Sequence, residues 1–291
     1  MPARVWQTLA GLIVLLLLAV LGLDQWQARH GESSLFGLPW PAIADVPPTI
    51  GYEPRRLRLR AQPVSLSDAP PNGTRVAVIV NRLEVQREVL EALRDLGRPV
   101  TVALLPGSTS TAVARGAARS GMEVLLDLPM EPYGYPQLDP GPGTLLMSMS
   151  QEEIRRAVAR QLDSLPGVAG VTNYMGSKLT EDRARIHTVL EVLAARHLFL
   201  VDAFTSNLSI AYDEAKRVGV RAARRQMLID VTRGESGERA GWDEVAGWAE
   251  RRGEVIVLAP AQPSTARLLR EYIGRWEARG LRLVPVSELA R

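Results

Sequence analysis

Cysteine is absent from the 291 residues of this chain, and histidine occurs three times. The first absence excludes disulfide staples, thiolate zinc ligands and thiol nucleophiles. The second leaves little imidazole from which to build a metal centre. A strong charge of either sign is missing too: the net charge is +3, so the pI of about 9.5 reflects arginine usage and implies no nucleic-acid partner. The densest basic run, Arg55, Arg56, Arg58 and Arg60, reads as a solvated linker segment or as a contact to anionic head groups. What is present is ordinary globular material, 46% hydrophobic and 23% charged, enough for one main domain.

The first residues set the expected location. Val5 to Leu23 is almost wholly apolar, with Arg4 before it and Asp24 after it, close to the ~20 residues that cross a bilayer. A positive leading end stays cytoplasmic, so residues 1–23 are expected to be an inner-membrane anchor and the rest of the chain to be periplasmic. A cleaved signal peptide is the competing reading, but no small-x-small cleavage pattern lies near Leu21 to Gln27. Residues 24–73 carry prolines at 39, 41, 47, 48, 54, 63, 70 and 71 without a sustained period of 2 or 3.6, which reads as an extended tether.

From residue 74 to residue 291 the texture changes. Short apolar runs alternate with amphipathic helical stretches, the pattern of consecutive β/α units around a parallel sheet. The runs are Val76 to Val80, Val100 to Leu105, Glu123 to Leu128, Val168 to Thr172, Phe199 to Asp202, Met227 to Asp230, Val255 to Leu258 and Leu281 to Val284. Ser150 and Glu153 form a capping box for a helix reaching about Leu165, and Gly121 and Gly280 stand where helices stop. The expected fold is α/β, a β/α barrel of seven or eight units, with a doubly wound open sheet as the alternative. Either architecture places functional groups at the carboxyl ends of the strands, which singles out Asn81 and Arg82, Pro106, Asp127 to Glu131, Asn173 to Ser177, Asp202 to Thr205, Asp230 and Pro260.

Five stretches at these positions resemble, in order, the divergent polysaccharide deacetylases, a branch of the NodB-homology carbohydrate esterases. They are Leu128-Pro-Met-Glu-Pro132, Asn173-Tyr-Met-Gly-Ser177, Leu198-Phe-Leu-Val-Asp-Ala-Phe-Thr205, Arg225 to Asp230, and Gly280 to Leu289. The resemblance implies a distorted β/α barrel, a saccharide-related role and, in typical members, a divalent metal that activates water to remove an acetyl group. Such a metal needs about three protein ligands and an open position, a nearby carboxylate and an oxyanion donor.

This chain departs from the family at those positions. The family's Asp-Asp-Leu-Gly is Asn81-Arg82-Leu83-Glu84 here, and a guanidinium repels a metal. The family's Asn-His-Met-Gly-Ser is Asn173-Tyr174-Met175-Gly176-Ser177. The histidine implied before Leu-Pro-Met-Glu-Pro is Asp127, and the one implied near the last strands aligns with Pro260. The three histidines of the chain lie elsewhere: His30 in the tether, His187 within a helix, His197 before a strand. The ancestral metal site is therefore expected to be lost, with no cofactor in its place.

The remaining candidates for chemistry are Asp127, Glu131, Asp202 and Asp230, which could serve as acid-base carboxylates or hold Mg²⁺ or Ca²⁺. The alternative is that Asp202 and Asp230 bond backbone amides while Arg82 neutralises one of them. Candidate binding residues are Asn81, Arg82, Asn173, Tyr174, Ser177 and Thr205, joined by Tyr133 and Tyr135 in a mobile loop, Met130 to Gly143, whose rings suit stacking on sugars. Trp242, Trp248 and Trp276 read as core-facing helix residues. The expectation is a non-catalytic barrel at the inner membrane, anchored through residues 5–23, that binds envelope glycan or a cell-wall-active protein; an active deacetylase or hydrolase with a rebuilt carboxylate site is the alternative.

Overall fold

The computed structural model describes residues 73–82 and 87–291. The expected anchor, and the expected tether apart from Gly73, lie outside the described residues. No helix among the described residues is long and apolar enough to cross a membrane.

Strands β1 (Thr74–Asn81), β2 (Thr101–Leu104), β3 (Val124–Met130), β4 (Gly170–Met175) and β5 (Phe199–Asp202) pair in sequence order, and β8 (Glu254–Pro260) lies on the other edge of β1. Every pairing is parallel. The connections are helices α1 (Arg87–Arg94), α2 (Ser108–Arg119), α3 (Gln151–Ser164), α4 (Arg183–Ala195), α5 (Ala211–Arg217), α6 (Gly234–Arg252) and α7 (Thr265–Ala278). The sheet curls as a β/α barrel does, because both faces of each strand must be covered when helices form the crossovers.

One extended segment carries both β6 (Ala222–Arg224) and β7 (Met227–Leu228). Its first half pairs with β5 and its second half with β8. At the break, Gln226 substitutes a side chain for backbone: its amide N donates to Ile256 O at 3.0 Å, while its Oε1 accepts from Ile256 N at 2.6 Å. The eighth apolar run, β9 (Leu281–Leu283), pairs with the first residues of β1 and adds no further stave. All eight runs read from the sequence become strands. Only β6, whose Ala-Ala-Arg has no apolar run to announce it, is extra.

Strand parity divides the core in two. Val76, Val78 and Val80 of β1, Leu126 and Leu128 of β3, and Val255 and Val257 of β8 face the helices in one apolar cluster. The opposite face forms a smaller cluster: Ala77, Ile79, Ala103, Leu125, Phe199, Val201, Ala203, Ala223, Ile256 and Leu258, stopped at one end by Val284, Val286, Leu289 and Ala290. Ala77, Ala103, Ala203 and Ala223 make room for the few large chains, each worth ~1.5–3 kcal/mol on burial. Gly170 is required at this layer, since a Cβ would lie 2.7 Å from Phe199 O and 2.8 Å from its ring.

The helices follow their sequence signals. Ser150 Oγ accepts from Glu153 N at 3.3 Å and Glu153 Oε2 accepts from Ser150 N at 2.8 Å, a complete capping box at the start of α3. Ile154, Ala157, Val158, Gln161 and Leu162 then bury one face, the spacing of a helix packed on one side. Trp242 and Trp276 are buried with ring centroids 6.1 Å apart, joining α6 to α7. Trp248 is only partly buried, and Arg251 and Arg252 stack on its ring.

Candidate functional site

The carboxyl ends of the strands carry a polar layer just above the inner apolar cluster. Asn81 continues the parity of Ala77 and Ile79, and Asp127 that of Leu125. Thr172 is the register partner of both Asp127 and Val201, so it faces the same interior. All three are buried. Asn81 Nδ2 donates to Asp127 Oδ2 at 3.1 Å. Because the carboxylate can only accept, this bond orients the amide and aims Asn81 Oδ1 elsewhere. Asn81 Oδ1 and Thr172 Oγ1 have no hydrogen-bond partner among the described residues, a cost of about 1–3 kcal/mol each that marks a place for a polar guest. Thr172 belongs to the site although the sequence reading treats it only as the end of an apolar run; its alternation with buried Val171 was the available signal.

Tyr174 and Pro260 share this face. Tyr174 is the register partner of Pro129, two residues beyond Asp127, and Pro260 that of Asn81. Arg82 follows at the rim, exposed and with φ 62. Among the described residues it forms no ion pair, so the expected neutralisation of a leftover acid by Arg82 is not found. Arg224 stands there instead, its Nε 3.6 Å from Asp202.

The other carboxylates do not converge with Asp127. Asp202 has the helix-facing parity of Leu200 and accepts from Phe204 N at 2.8 Å, Ser209 Oγ at 3.0 Å and Tyr212 N at 3.4 Å. It organises the β5–α5 loop. Glu131 latches two loops: Oε1 accepts from Lys178 Nζ and Oε2 from Met147 N, each at 2.6 Å. Burial pushes its pKa up, but these two donors, with Arg185 nearby, leave it below the ordinary range. Asp230 is exposed and accepts from Thr232 N at 2.8 Å and Thr232 Oγ1 at 2.6 Å, bonds that lower its pKa, the hydroxyl first.

The Asn-Tyr-Met-Gly-Ser stretch is largely scaffold. Asn173 faces away from the interior: its Oδ1 accepts from Ala203 N and its Nδ2 donates to Met175 O, both at 2.8 Å, with Thr205 Oγ1 at 3.4 Å. Thr205 Oγ1 donates to the same carbonyl at 2.9 Å. Met175 and Gly176 both take positive φ, and Ser177 Oγ accepts from Tyr133 N at 3.2 Å. Within this stretch Tyr174 alone turns inward.

The loop after β3, read from the sequence as a mobile segment, is built as a chain of tight turns. Met130 bridges Leu145, Tyr135 N donates to Pro132 O at 3.2 Å and Leu138 N to Gly134 O at 2.8 Å. Tyr133 is 64% exposed, yet its hydroxyl donates to Glu181 Oε2 at 2.5 Å, and that bond raises the phenol pKa. Ser206 Oγ donates to the other oxygen of Glu181. Tyr133 thus presents a ring face at the rim while its tip is held between loops after β3, β4 and β5. Tyr135 is half-buried beside it, before a cis Pro136.

A divalent metal does not fit these residues. Asn81, Arg82, Tyr174 and Pro260 supply a neutral amide, a cation, a phenol and no side-chain donor around the carboxylate of Asp127. Among the described residues no three His, Cys, Asp or Glu side chains are grouped to hold an ion. His187 lies on α4 with Nδ1 3.0 Å from Glu214 Oε1, and His197 occupies the turn leading into the amino end of β5.

Residues 78–290 match the model of the divergent polysaccharide deacetylases. The chain belongs to that family. It is 30% identical over 206 residues to the uncharacterized protein YibQ of Escherichia coli K12, an alignment covering 70% of this chain and 64% of that protein. The solved structure of an uncharacterized protein from Agrobacterium tumefaciens C58 is 28% identical, with a TM-score of 0.71 over 75% of this chain and 90% of that one. A putative cellobiose-phosphate cleavage protein from Enterococcus faecalis V583 has the same type of fold at 15% identity, with a TM-score of 0.53 over 75% of this chain and all of that one. Of the positions that the resemblance singled out, Glu131, Asn173, Gly176, Ser177 and Asp202 hold loops and strand ends together, whereas Asn81, Asp127, Tyr174 and Pro260 face the interior and Arg82 stands at the rim.

Proposed function

We propose that this protein binds an envelope saccharide at the barrel mouth without carrying out metal-dependent deacetylation, and that residues 5–23 anchor it at the periplasmic side of the inner membrane. The observation that carries this reading is the segregation just described. Of the positions where the chain departs from the family pattern that the resemblance implies, Asn81, Asp127, Tyr174 and Pro260 lie on the inward face and Arg82 at the rim, while Glu131, Asn173, Gly176, Ser177 and Asp202 hold loops and strand ends. Mutual replacement of ligands by an amide, a phenol and a proline removes the Lewis acid chemistry while the fold is retained.

What the mouth offers suits a sugar. Asp127, Asn81 and Thr172 supply acceptors for hydroxyl or amide donors, and the fixed ring of Tyr133 supplies a stacking face. A protein partner is the second reading. It is favoured by the positions of the large exposed apolar residues among those described, Tyr133, Leu138, Leu208 and Leu228, which all lie on loops or strand ends at the carboxyl side.

The test uses the full chain, purified without chelator. Expected are no saturable zinc or magnesium binding up to millimolar metal, no acetate release from acetylated chito-oligosaccharides, and calorimetric binding of oligosaccharide that weakens in Tyr133→Ala. Tight stoichiometric metal accompanied by acetate release would overturn the reading. Saccharide binding that is absent while a cell-wall protein is captured through the Leu138 and Leu208 surface would favour the partner instead.

A further inference from the structure

Two arginines at the mouth, Arg82 and Arg225, have no carboxylate partner among the described residues. Arg225 lies in the break between β6 and β7, against the carboxyl end of β5, and is half-buried. Its Nε donates to Ala203 O at 2.5 Å and its Nη2 to Phe204 O at 2.9 Å. Both acceptors are neutral carbonyls at the end of β5. A guanidinium has five N–H donors, so most of this fork remains available.

Burial disfavours the charged form of Arg225 and lowers its pKa, a tendency opposed by the field of Asp202. Among the described residues, however, Arg225 forms no ion pair. Asp202 already accepts from Phe204, Ser209 and Tyr212 and is approached by Arg224. Glu131 is taken by Lys178, Glu181 by Tyr133 and Ser206, Asp230 by Thr232, and Asp127, in the layer below, accepts from Asn81. Arg82, exposed at the end of β1, has no ion pair among the described residues either. A partly desolvated cation without a carboxylate is costly, and a forked guanidinium matches a carboxylate better than it matches a neutral hydroxyl.

We infer that the saccharide bound at this mouth carries a carboxylate, which Arg225 receives as a hydrogen-bonded ion pair while Arg82 adds attraction at the rim. This inference rests on the reading of the mouth as a saccharide site. It goes further by naming the class, an acidic glycan, and the residue that selects it. Arg225 then does two jobs: two of its donors hold the β5 loop, and the others face the ligand.

The experiment compares two probes on the full chain by titration calorimetry: an oligomer of alternating N-acetylglucosamine and N-acetylmuramic acid, and the same oligomer with its carboxyl groups reduced to alcohols. The acidic oligomer is expected to bind about tenfold tighter or more, the scale of a charged hydrogen bond. The preference should shrink with added salt, disappear in Arg225→Gln and fall partway in Arg82→Gln. Thermal melts establish whether Arg225→Gln is folded; if it is not, Arg225→Lys, which keeps the charge but loses the fork, is expected to retain only part of the preference. Equal affinity for the two probes, with Tyr133→Ala still weakening both, would sink the acidic-glycan inference and leave the saccharide reading standing. A preference that survives removal of both arginines would also overturn it. If neither probe binds, both readings fall.

Discussion

Asn81 Nδ2 donates to Asp127 Oδ2 at 3.1 Å in the buried layer between the apolar interior and the mouth. The pairing of an amide with a carboxylate leaves a single formal charge between these two side chains. Replacing the amide by a second carboxylate changes that balance. In Asn81→Asp two acids share one buried site, and the pKa of one must rise above its unfolded value of ~4. A group with a raised folded pKa contributes stability below the unfolded pKa that is lost as pH rises through the folded one. The variant is therefore expected to be less stable than the parent by about 2–4 kcal/mol at pH 7–8 and to recover toward pH 4–5. Urea denaturation at the two pH values measures this; a loss independent of pH would show that the two side chains do not share a site.

Asp202 is predicted to matter for stability and little for ligand binding. Asp202→Ala leaves the hydroxyl of Ser209 and the amides of Phe204 and Tyr212 without their acceptor, at a cost of about 2–4 kcal/mol. Denaturation midpoints should fall accordingly, while oligosaccharide affinity of the folded fraction stays within about twofold. Asp202→Asn, which keeps an acceptor oxygen, should lose less.

Gly176 is the residue of its stretch that geometry constrains most. Its φ is 84, and a Cβ would stand 2.7 Å from Cβ of buried Met130. Gly176→Ala must distort either the turn or the β3 edge, costing about 2–4 kcal/mol. A melting temperature unchanged by this substitution would contradict the close approach.

Glu214 is the acid-sensitive element of the outer ring. Buried on α5, it accepts from Arg217 Nε at 2.8 Å, from Arg183 Nη1 at 3.1 Å and meets His187 Nδ1 at 3.0 Å. Arg217 first, against the opposing effect of burial, and then His187 bring its pKa from the usual 4.5 to about 2. A depressed folded pKa contributes stability above the unfolded value that is lost as pH falls through the folded one. Stability should therefore decline between about pH 4.5 and 2, and Glu214→Gln should remove that share of the decline while lowering stability at neutral pH. Parallel denaturation series for the two proteins from pH 7 to pH 2.5 give the comparison.

The family resemblance was legible because the words that carry it are scaffold. Glu131 ties two loops, Asn173 and Thr205 share the Met175 carbonyl, and Gly176 passes Met130, so these positions tolerate few residues whatever the chemistry above them. The roles of individual residues were less legible. Asp127, Glu131, Asp202 and Asp230 look equivalent at strand ends, but one residue of parity sends Asp202 toward the helices and Asp127 inward. Arg82 was the cation noticed in the sequence. Arg225 is one residue of the Arg225 to Asp230 stretch in the sequence, and its distinction, neutral carbonyls for partners, exists only in the fold.

From the sequence alone come the order of strands and helices, the capping box at Ser150, and the departure from the ligand types that the resemblance implies at Asn81, Asp127, Tyr174 and Pro260. These are local properties, set by hydrophobic period, cap chemistry and residue identity. Only the tertiary structure decided that Asn81, Asp127 and Thr172 form one buried layer, that Tyr133 is fixed by Glu181, and that β6 and β7 are two halves of one segment. Those facts depend on strand register and on contacts between residues 40 or more positions apart, such as Asn81 with Asp127 and Tyr133 with Glu181, and no local pattern encodes register around a curled sheet.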